Sequence, residues 1–165
     1  MNLPTLKQLP SLARQKRTEH TNISKQLKKK VPKDLDHNVH TWNDEIFEEL
    51  DCLECGNCCR KMDRHLTSND IIKLARFLRM KVADFEEQYL LLDSDEDYVF
   101  KDTPCPFFDS DNHCLVYEAR PRVCREYPYL HAPKFYQFLT LSVKNRTTCP
   151  AVYEVFERLL DKYGK

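Results

Sequence analysis

Four thiols fall within eight residues of this 165-residue chain, in the stretch Cys52-Leu-Glu-Cys55-Gly-Asn-Cys58-Cys59. Two cysteines separated by two residues can direct both sulfurs at one point, and a glycine after the second lets the backbone turn tightly there. Soft ions such as zinc and iron favour thiolate ligands. The spacing therefore predicts a metal site.

Four further cysteines follow this stretch and complete a set of eight candidate metal ligands. The set is Cys52, Cys55, Cys58, Cys59, Cys105, Cys114, Cys124 and Cys149. Eight thiols suit either two mononuclear four-thiolate sites or one multinuclear cluster, and both arrangements stay open. We expect the neighbouring side chains of Cys58 and Cys59 to diverge, so that one ion rarely takes both.

The metal itself is predicted only as zinc or iron. The three-residue spacing from Cys52 to Cys58, with Cys-Pro pairs at Cys105 and Cys149, is similar to the ferredoxin pattern for iron–sulfur clusters, although the fourth cysteine is not at the usual short spacing. The knuckle of Cys55 and Gly56 fits zinc equally well. An iron–sulfur cluster therefore remains one of the alternatives.

Arginines, histidines and acidic residues near the cysteines are expected to support the metal site rather than to bind the metal. Guanidinium groups can offset the negative charge of several thiolates on one divalent ion. The candidates for this role are Arg60, Arg120, Arg122 and Arg125. We expect His37 and His40 at surface or packing positions. His65, His113 and His131 could be ligands or proton carriers, but positions beside the metal ligands or facing solvent are favoured. Asp109 and Asp111 are expected to form a turn.

The composition excludes some function classes. Lys plus Arg equals Asp plus Glu at 26 each, so net charge makes no general case for nucleic acid or a membrane surface. No stretch approaches the roughly 20 apolar residues of a membrane span, and the N-terminus lacks a secretory apolar run. We therefore expect a soluble cytoplasmic protein, where thiols are not usually locked as disulfides.

The elements that must position the cysteines are mostly helical. Apolar spacing predicts a helix over 34–50 that leads into Cys52, a helix capped by Thr67 and Asp70, and another over 83–91. Tyr98–Phe100 is predicted as a short strand, and residues 103–129 as proline-rich loop. Residues 135–143 fit helix or strand, and helix is favoured. A final helix begins at Pro150, with Cys149 at its N-cap, where the helix dipole favours a thiolate.

These elements predict a mainly α fold with irregular, cysteine-rich, metal-stapled loops and at most a short β-hairpin. We expect a basic N-terminal arm or helix over 1–33 and a single cysteine-cluster domain over 34–165. Residues 1–30 carry eight Lys or Arg against Glu19 alone. A contact with nucleic acid or an acidic protein through this arm is possible, but a solvated tail is the favoured interpretation.

The chain resembles the YkgJ-like cysteine-cluster family, described as zinc- or iron-chelating CxxCxxCC domain proteins. The resemblance rests on the Cys52–Cys59 stretch, on Pro104-Cys-Pro-Phe-Phe108 with Cys114 and Tyr117, and on Arg120-Pro-x-x-Cys124-Arg-x-Tyr-Pro128. It covers about residues 50 to 150 and implies that the matched cysteines are metal ligands. It implies no defined reaction.

Two alternatives come from other classes of protein. The Cys55-x-x-Cys58 pair has the spacing of a thiol–disulfide oxidoreductase, but such pairs normally follow a strand in a βαβ unit, and this one follows a predicted helix. The second alternative is an interaction module in which zinc is only structural. Whether the protein is an enzyme is left open, although the absence of a Gly-rich loop argues against an autonomous methyltransferase.

Overall fold

The computed structural model describes residues 3–164, and most of them are helical. The α-helices are α1 Leu9–Gln15, α2 Arg17–Lys29, α3 Leu35–Glu49, α4 Cys52–Cys55, α5 Asn57–Lys61, α6 Ser68–Phe77, α7 Val82–Tyr89, α8 Arg122–Glu126, α9 Leu139–Asn145 and α10 Pro150–Tyr163. The strands are β1 His65–Leu66, β2 Leu90–Leu92 and β3 Tyr98–Phe100. Short 3-10 helices cover Tyr117–Ala119 and Phe135–Gln137.

The chain divides into two compact units. The first, which we call the helical unit, comprises residues 3–55 and 128–164 and contains α1–α4, α9 and α10. The second, the sheet unit, comprises residues 56–127 and contains α5–α8 and the three strands. The division falls inside the first cysteine stretch, between Cys55 and Gly56.

The helical unit is built around α10. The apolar stripe of this helix is buried at Val152, Phe156 and Leu159, and α1, α2, α3 and α9 all pack against the helix. Pro150 occupies the start of the helix and Cys149 its N-cap, as predicted. Residues 9–29 form α1 and α2 within this unit, and the predicted domain boundary after residue 33 stays a prediction.

The sheet unit packs its helices on a small antiparallel sheet of strand order β1-β3-β2. The largest fully buried side chains of its core come from α6 and α7, namely Ile71, Leu74 and Phe85. The predicted cap of α6 is confirmed as a complete capping box, because the Thr67 hydroxyl accepts the Asp70 N–H and the Asp70 carboxylate accepts the Thr67 N–H.

The predicted fold class is confirmed: the chain is mainly α with a small β element. The predicted strand Tyr98–Phe100 is present, and residues 135–143 are helical rather than extended. The helix expected to reach residue 91 ends at Tyr89, because Leu90–Leu92 pair with β3 instead. The proline-rich segment is mostly loop but also contains α8. In the described residues, none of the helices has the length and apolarity that crossing a bilayer requires.

Candidate metal centre

Five of the eight candidate thiols belong to the sheet unit. Cys58 and Cys59 lie on α5, Cys124 lies on α8, and Cys105 and Cys114 lie in the loop between β3 and the 3-10 helix. The Cys105 N–H donates to the Cys59 carbonyl at 2.9 Å, which ties the loop to α5. Charge on Cys59, Cys124 or Cys114 would raise the pKa of Cys105 further, so these four sulfurs lie within electrostatic reach of one another.

The side chains of Cys58 and Cys59 approach each other, and the expected divergence is wrong. Their sulfurs lie 4.0 Å apart, because α5 begins immediately after a left-handed Gly56 and places both cysteines in its first turn. Two sulfurs on one tetrahedral zinc ion at about 2.3 Å from the metal are about 3.8 Å apart. The pair therefore has a separation that one ion, or two neighbouring ions, could use.

A buried arginine lies among these thiols. Arg64 is only 3% exposed, and negative charge on Cys124, Cys58 and Cys59 would hold its pKa above the ordinary value in spite of burial. Its Nη1 has no hydrogen-bond partner. A buried guanidinium is costly unless an anion compensates it. The charge of Arg64 therefore favours thiolates over thiols at the surrounding cysteines.

Cys59 is the thiol most affected by this surrounding. A hydrogen bond with Cys58 and the positive charge of Arg64 lower the pKa of Cys59 to about 6, against the opposing effect of burial. Arg120 acts in the same direction on both Cys59 and Cys114. In the metal-free protein Cys59 is therefore ionised at neutral pH.

Three other thiols of the sheet unit, those of Cys105, Cys114 and Cys124, stay protonated at neutral pH in the absence of metal. Burial raises the pKa of Cys105 to about 11, and it also raises the pKa of Cys114 and Cys124. The backbone N–H groups of Phe107 and Val116 oppose this effect at Cys105 and Cys114. Such N–H groups stabilise a thiolate, and a divalent ion would convert the thiols to that form.

Gly56 is required at the start of α5. Its φ of 52° is left-handed, and a Cβ at this position would lie 2.6 Å from Cζ of Phe108. The Arg60 guanidinium lies 5.0 Å from the centre of the same Phe108 ring. The tight turn predicted from the Cys55-Gly56 knuckle is therefore present, and it is closed by an aromatic ring from the cysteine-rich loop.

Three cysteines belong to the helical unit. Cys52 and Cys55 lie at the two ends of α4, and Cys149 is the N-cap of α10. Burial raises the pKa of Cys149 to about 12, and charge on Cys52 or Cys55 would raise it further, which places the three sulfurs within electrostatic reach. The N–H groups of Val152 and Ala151 point towards the Cys149 sulfur and oppose this shift, although neither makes a full capping hydrogen bond.

The division into units thus assigns five of the eight cysteines to the sheet unit and three to the helical unit. Within the described residues of either unit taken alone, no three cysteine sulfurs lie within 4.8 Å of one another. The ligand set of eight cysteines therefore stays a prediction.

The arginines and acidic residues that were predicted to lie near the metal site differ in the contacts they make. Among the arginines proposed to offset thiolate charge, Arg120 acts on the thiols, whereas Arg122 pairs with Glu126 at 2.7 Å. The sequence interpretation missed Arg64, because no motif in the surrounding sequence distinguishes it from the other arginines. Asp109 forms the predicted turn by accepting the N–H groups of Asp111 and His113.

The histidines pair mainly with carboxylates rather than with cysteines. His65 Nδ1 lies 3.5 Å from both Asp93 and Asp97, and His131 lies 2.8 Å from Asp44. Exposed histidines beside carboxylates need no metal to account for them. A sixth histidine, His20, was not singled out from the sequence, yet it is fully buried in the helical unit.

The donor set fits a soft metal ion. Clustered sulfurs, backbone N–H groups directed at them and a buried guanidinium are the features of a thiolate metal site. The protein is therefore of the class of small, cysteine-rich proteins. It belongs to the CxxCxxCC family, described as a "putative zinc- or iron-chelating domain", whose model matches residues 51–150. No curated protein matches the chain, and no solved structure does.

Proposed function

We propose that the protein chelates zinc or iron through its cysteine thiolates, as a small metal-binding protein of the cytoplasm. In this proposal Cys58, Cys59, Cys105, Cys114 and Cys124 form the main centre in the sheet unit. Cys52, Cys55 and Cys149 form a three-thiol group in the helical unit. The bound metal would supply Lewis acidity and a cross-link between distant loops.

The observation that carries this proposal is the buried Arg64 guanidinium among Cys58, Cys59 and Cys124. Neutral thiols do not compensate a buried cation. The Cys59 thiolate does so in the metal-free protein, and several thiolates on one divalent ion leave a net negative charge that the same guanidinium offsets. A buried arginine would destabilise an ordinary apolar core that contained only neutral cysteines. Its position supports a site that is anionic when loaded.

The number of thiols bears on the kind of centre. Five cysteines in the sheet unit exceed the four that one tetrahedral zinc ion takes. The close pair Cys58 and Cys59 would suit a bridged two-ion centre, an iron–sulfur cluster, or one ion with a spare thiol. Absorption separates the iron–sulfur cluster from the zinc cases, because the cluster is coloured and a zinc site is not, and the number of zinc equivalents separates one ion from two.

The test is metal analysis of protein purified without oxygen. We expect at least one equivalent of zinc or iron per chain, a reduced content in Cys59→Ser and Cys124→Ser, and no change in Ser110→Ala, an exposed control position in the same loop region. Cys149→Ser reports separately on the helical unit. Protein without stoichiometric metal, equally stable in strong chelator, would rule out the proposal.

The oxidoreductase alternative gains no support from the local structure. Cys55 ends α4, which follows α3, so the cysteine pair does not follow a strand as it does in redox proteins of the βαβ type. We therefore propose no redox reaction for the Cys55-x-x-Cys58 pair.

A further inference from the structure

A second buried arginine lies in the helical unit, where α2 packs against α9. The two helices run antiparallel, since Lys28 near the end of α2 donates to Thr140 near the start of α9 at 3.0 Å. Ser142, Asn145 and Arg146 stand at helical spacing at the end of α9, and all three are buried. We call these three residues the α9 polar face.

Each residue of the α9 polar face has a buried polar atom without a hydrogen-bond partner. These atoms are the Ser142 hydroxyl, Nδ2 of Asn145 and Nε of Arg146. On α2, Nδ1 of the fully buried His20 is in the same condition. Buried polar groups almost always have a partner, so four such atoms on two packed helices indicate that a polar species belongs there.

The charge balance indicates the sign of that species. Arg146 is 4% exposed, and in the described part of the chain no carboxylate pairs with it. Burial lowers the pKa of Arg146, and the positive charge of Arg17 lowers it further. Arg64 in the sheet unit has thiols to compensate its charge, whereas Arg146 has another arginine. Arg146 therefore has no carboxylate partner of its own among the described residues, whereas Glu157 is already engaged by His20.

We propose that the α9 polar face binds a small oxyanion of the phosphate type against α2. Arg146 Nε, Asn145 Nδ2 and the Ser142 hydroxyl would each donate a hydrogen bond to it. A guanidinium and neutral donors together suit the tetrahedral oxygens of phosphate, and charge-assisted hydrogen bonds of this kind are the stronger ones.

Arg17 and His20 extend the site along α2. Arg17 is exposed, and its charge acts on Arg146, so it lies where an anion from solvent would arrive. His20 Nε2 already contacts the Glu157 carboxylate at 2.7 Å. A protonated His20 would donate from Nε2 to Glu157 and from Nδ1 towards the anion, so the anion would stabilise the imidazolium form.

The experiment measures thermal unfolding of the metal-loaded full chain in inorganic phosphate and in chloride at matched ionic strength. Phosphate is expected to raise Tm saturably, by on the order of 5 °C at a hundredfold excess over Kd. Equal Tm values in the two salts would overturn the proposal. Phenyl phosphate in a parallel series shows whether a phosphate carried on a larger molecule binds better than the free ion.

Variants assign the response to the α9 polar face. Arg146→Met should abolish the phosphate-dependent rise in Tm, and a saturable rise that persists in this variant would contradict the proposal. Asn145→Asp provides a second variant, because its carboxylate supplies an internal anion to Arg146 and should weaken phosphate binding at least tenfold. Lys144→Met removes an exposed charge from the same helix and should leave the response intact. Metal content measured in each sample keeps this result separate from the chelation proposal.

Discussion

The buried Arg64 guanidinium acts on the Cys59 sulfur inside the sheet unit and favours its thiolate form. Arg64 is buried, and its pKa is held above the ordinary value by the surrounding cysteines. Cys59 in turn is ionised near pH 6 through its hydrogen bond with Cys58 and through Arg64. Cys59 is therefore already a thiolate, the form that binds a metal cation, before any metal is bound.

The first prediction concerns the reactivity of Cys59 in metal-free, reduced protein. Since only the thiolate is alkylated, labelling of Cys59 by iodoacetamide should have its midpoint near pH 6, whereas Cys105 and Cys149 should stay unlabelled at pH 7. Peptide mass spectrometry across a pH series measures this. In Arg64→Met the Cys59 midpoint should rise. A wild-type midpoint at about 8.5, the value of a free cysteine, would contradict the prediction.

The second prediction concerns Asp70, which connects α6 to α8. One carboxylate oxygen of Asp70 accepts hydrogen bonds from Thr67, and the other accepts the Arg122 N–H at 2.8 Å, at the start of the helix that carries Cys124. Asp70→Ala should lower the free energy of unfolding by about 3 kcal/mol, because it removes the carboxylate that accepts the N–H groups of Thr67 and Arg122. Urea denaturation measures this loss.

Thr67→Ala is the matched control for Asp70→Ala. It removes the capping hydroxyl but keeps the contact between Asp70 and Arg122, so it should cost only about 1 kcal/mol. Metal should dissociate faster from Asp70→Ala than from Thr67→Ala. Equal dissociation rates would show that Asp70 does not position Cys124.

How far the sequence predicts this structure depends on the range of the interactions involved. The capping box of Thr67 and Asp70, and the N-cap position of Cys149, follow from residues within one helical turn, and both are confirmed. The buried positions of Arg64 and His20 depend on contacts with distant segments, which no local pattern reports. The assignment of five cysteines to the sheet unit and three to the helical unit likewise depends on long-range contacts.

The third prediction is a pH dependence that arises from His20. Burial lowers the pKa of His20 below its usual 6.5, so the folded chain keeps the imidazole neutral where the unfolded chain protonates it. The unfolded state therefore binds more protons below pH 6.5, and stability falls as the pH falls through that range. The loss should be on the order of 1 kcal/mol between pH 7 and pH 5.

The measurement compares urea denaturation of wild type and His20→Gln at pH 7 and pH 5. The glutamine cannot be protonated, so the variant should lose less stability on acidification than the wild type does. His37→Gln, at an exposed position on α3, should behave as the wild type. An identical pH dependence in wild type and His20→Gln would disprove the assignment.

The fourth prediction concerns Gly56. Alanine at this position must adopt a left-handed φ and would place its Cβ 2.6 Å from Cζ of Phe108. The backbone alone costs about 1–2 kcal/mol, and displacement of the ring would disturb the turn that presents Cys58 and Cys59. Gly56→Ala should therefore lower both the unfolding free energy and the affinity for metal. Chelator competition measures the affinity. An unchanged affinity would contradict the claim that the Gly56 turn positions Cys58 and Cys59 for metal binding.

The most direct test of the central claim is X-ray absorption at the edge of the metal that purifies with the protein. If the cysteines are the ligands, the fitted first shell should be dominated by sulfur at about 2.3 Å, with about four sulfurs for a structural zinc. Cys59→Ser should lose sulfur from that shell or lose the metal. A shell made only of nitrogen and oxygen at about 2.0–2.2 Å would contradict the claim that the thiols hold the metal.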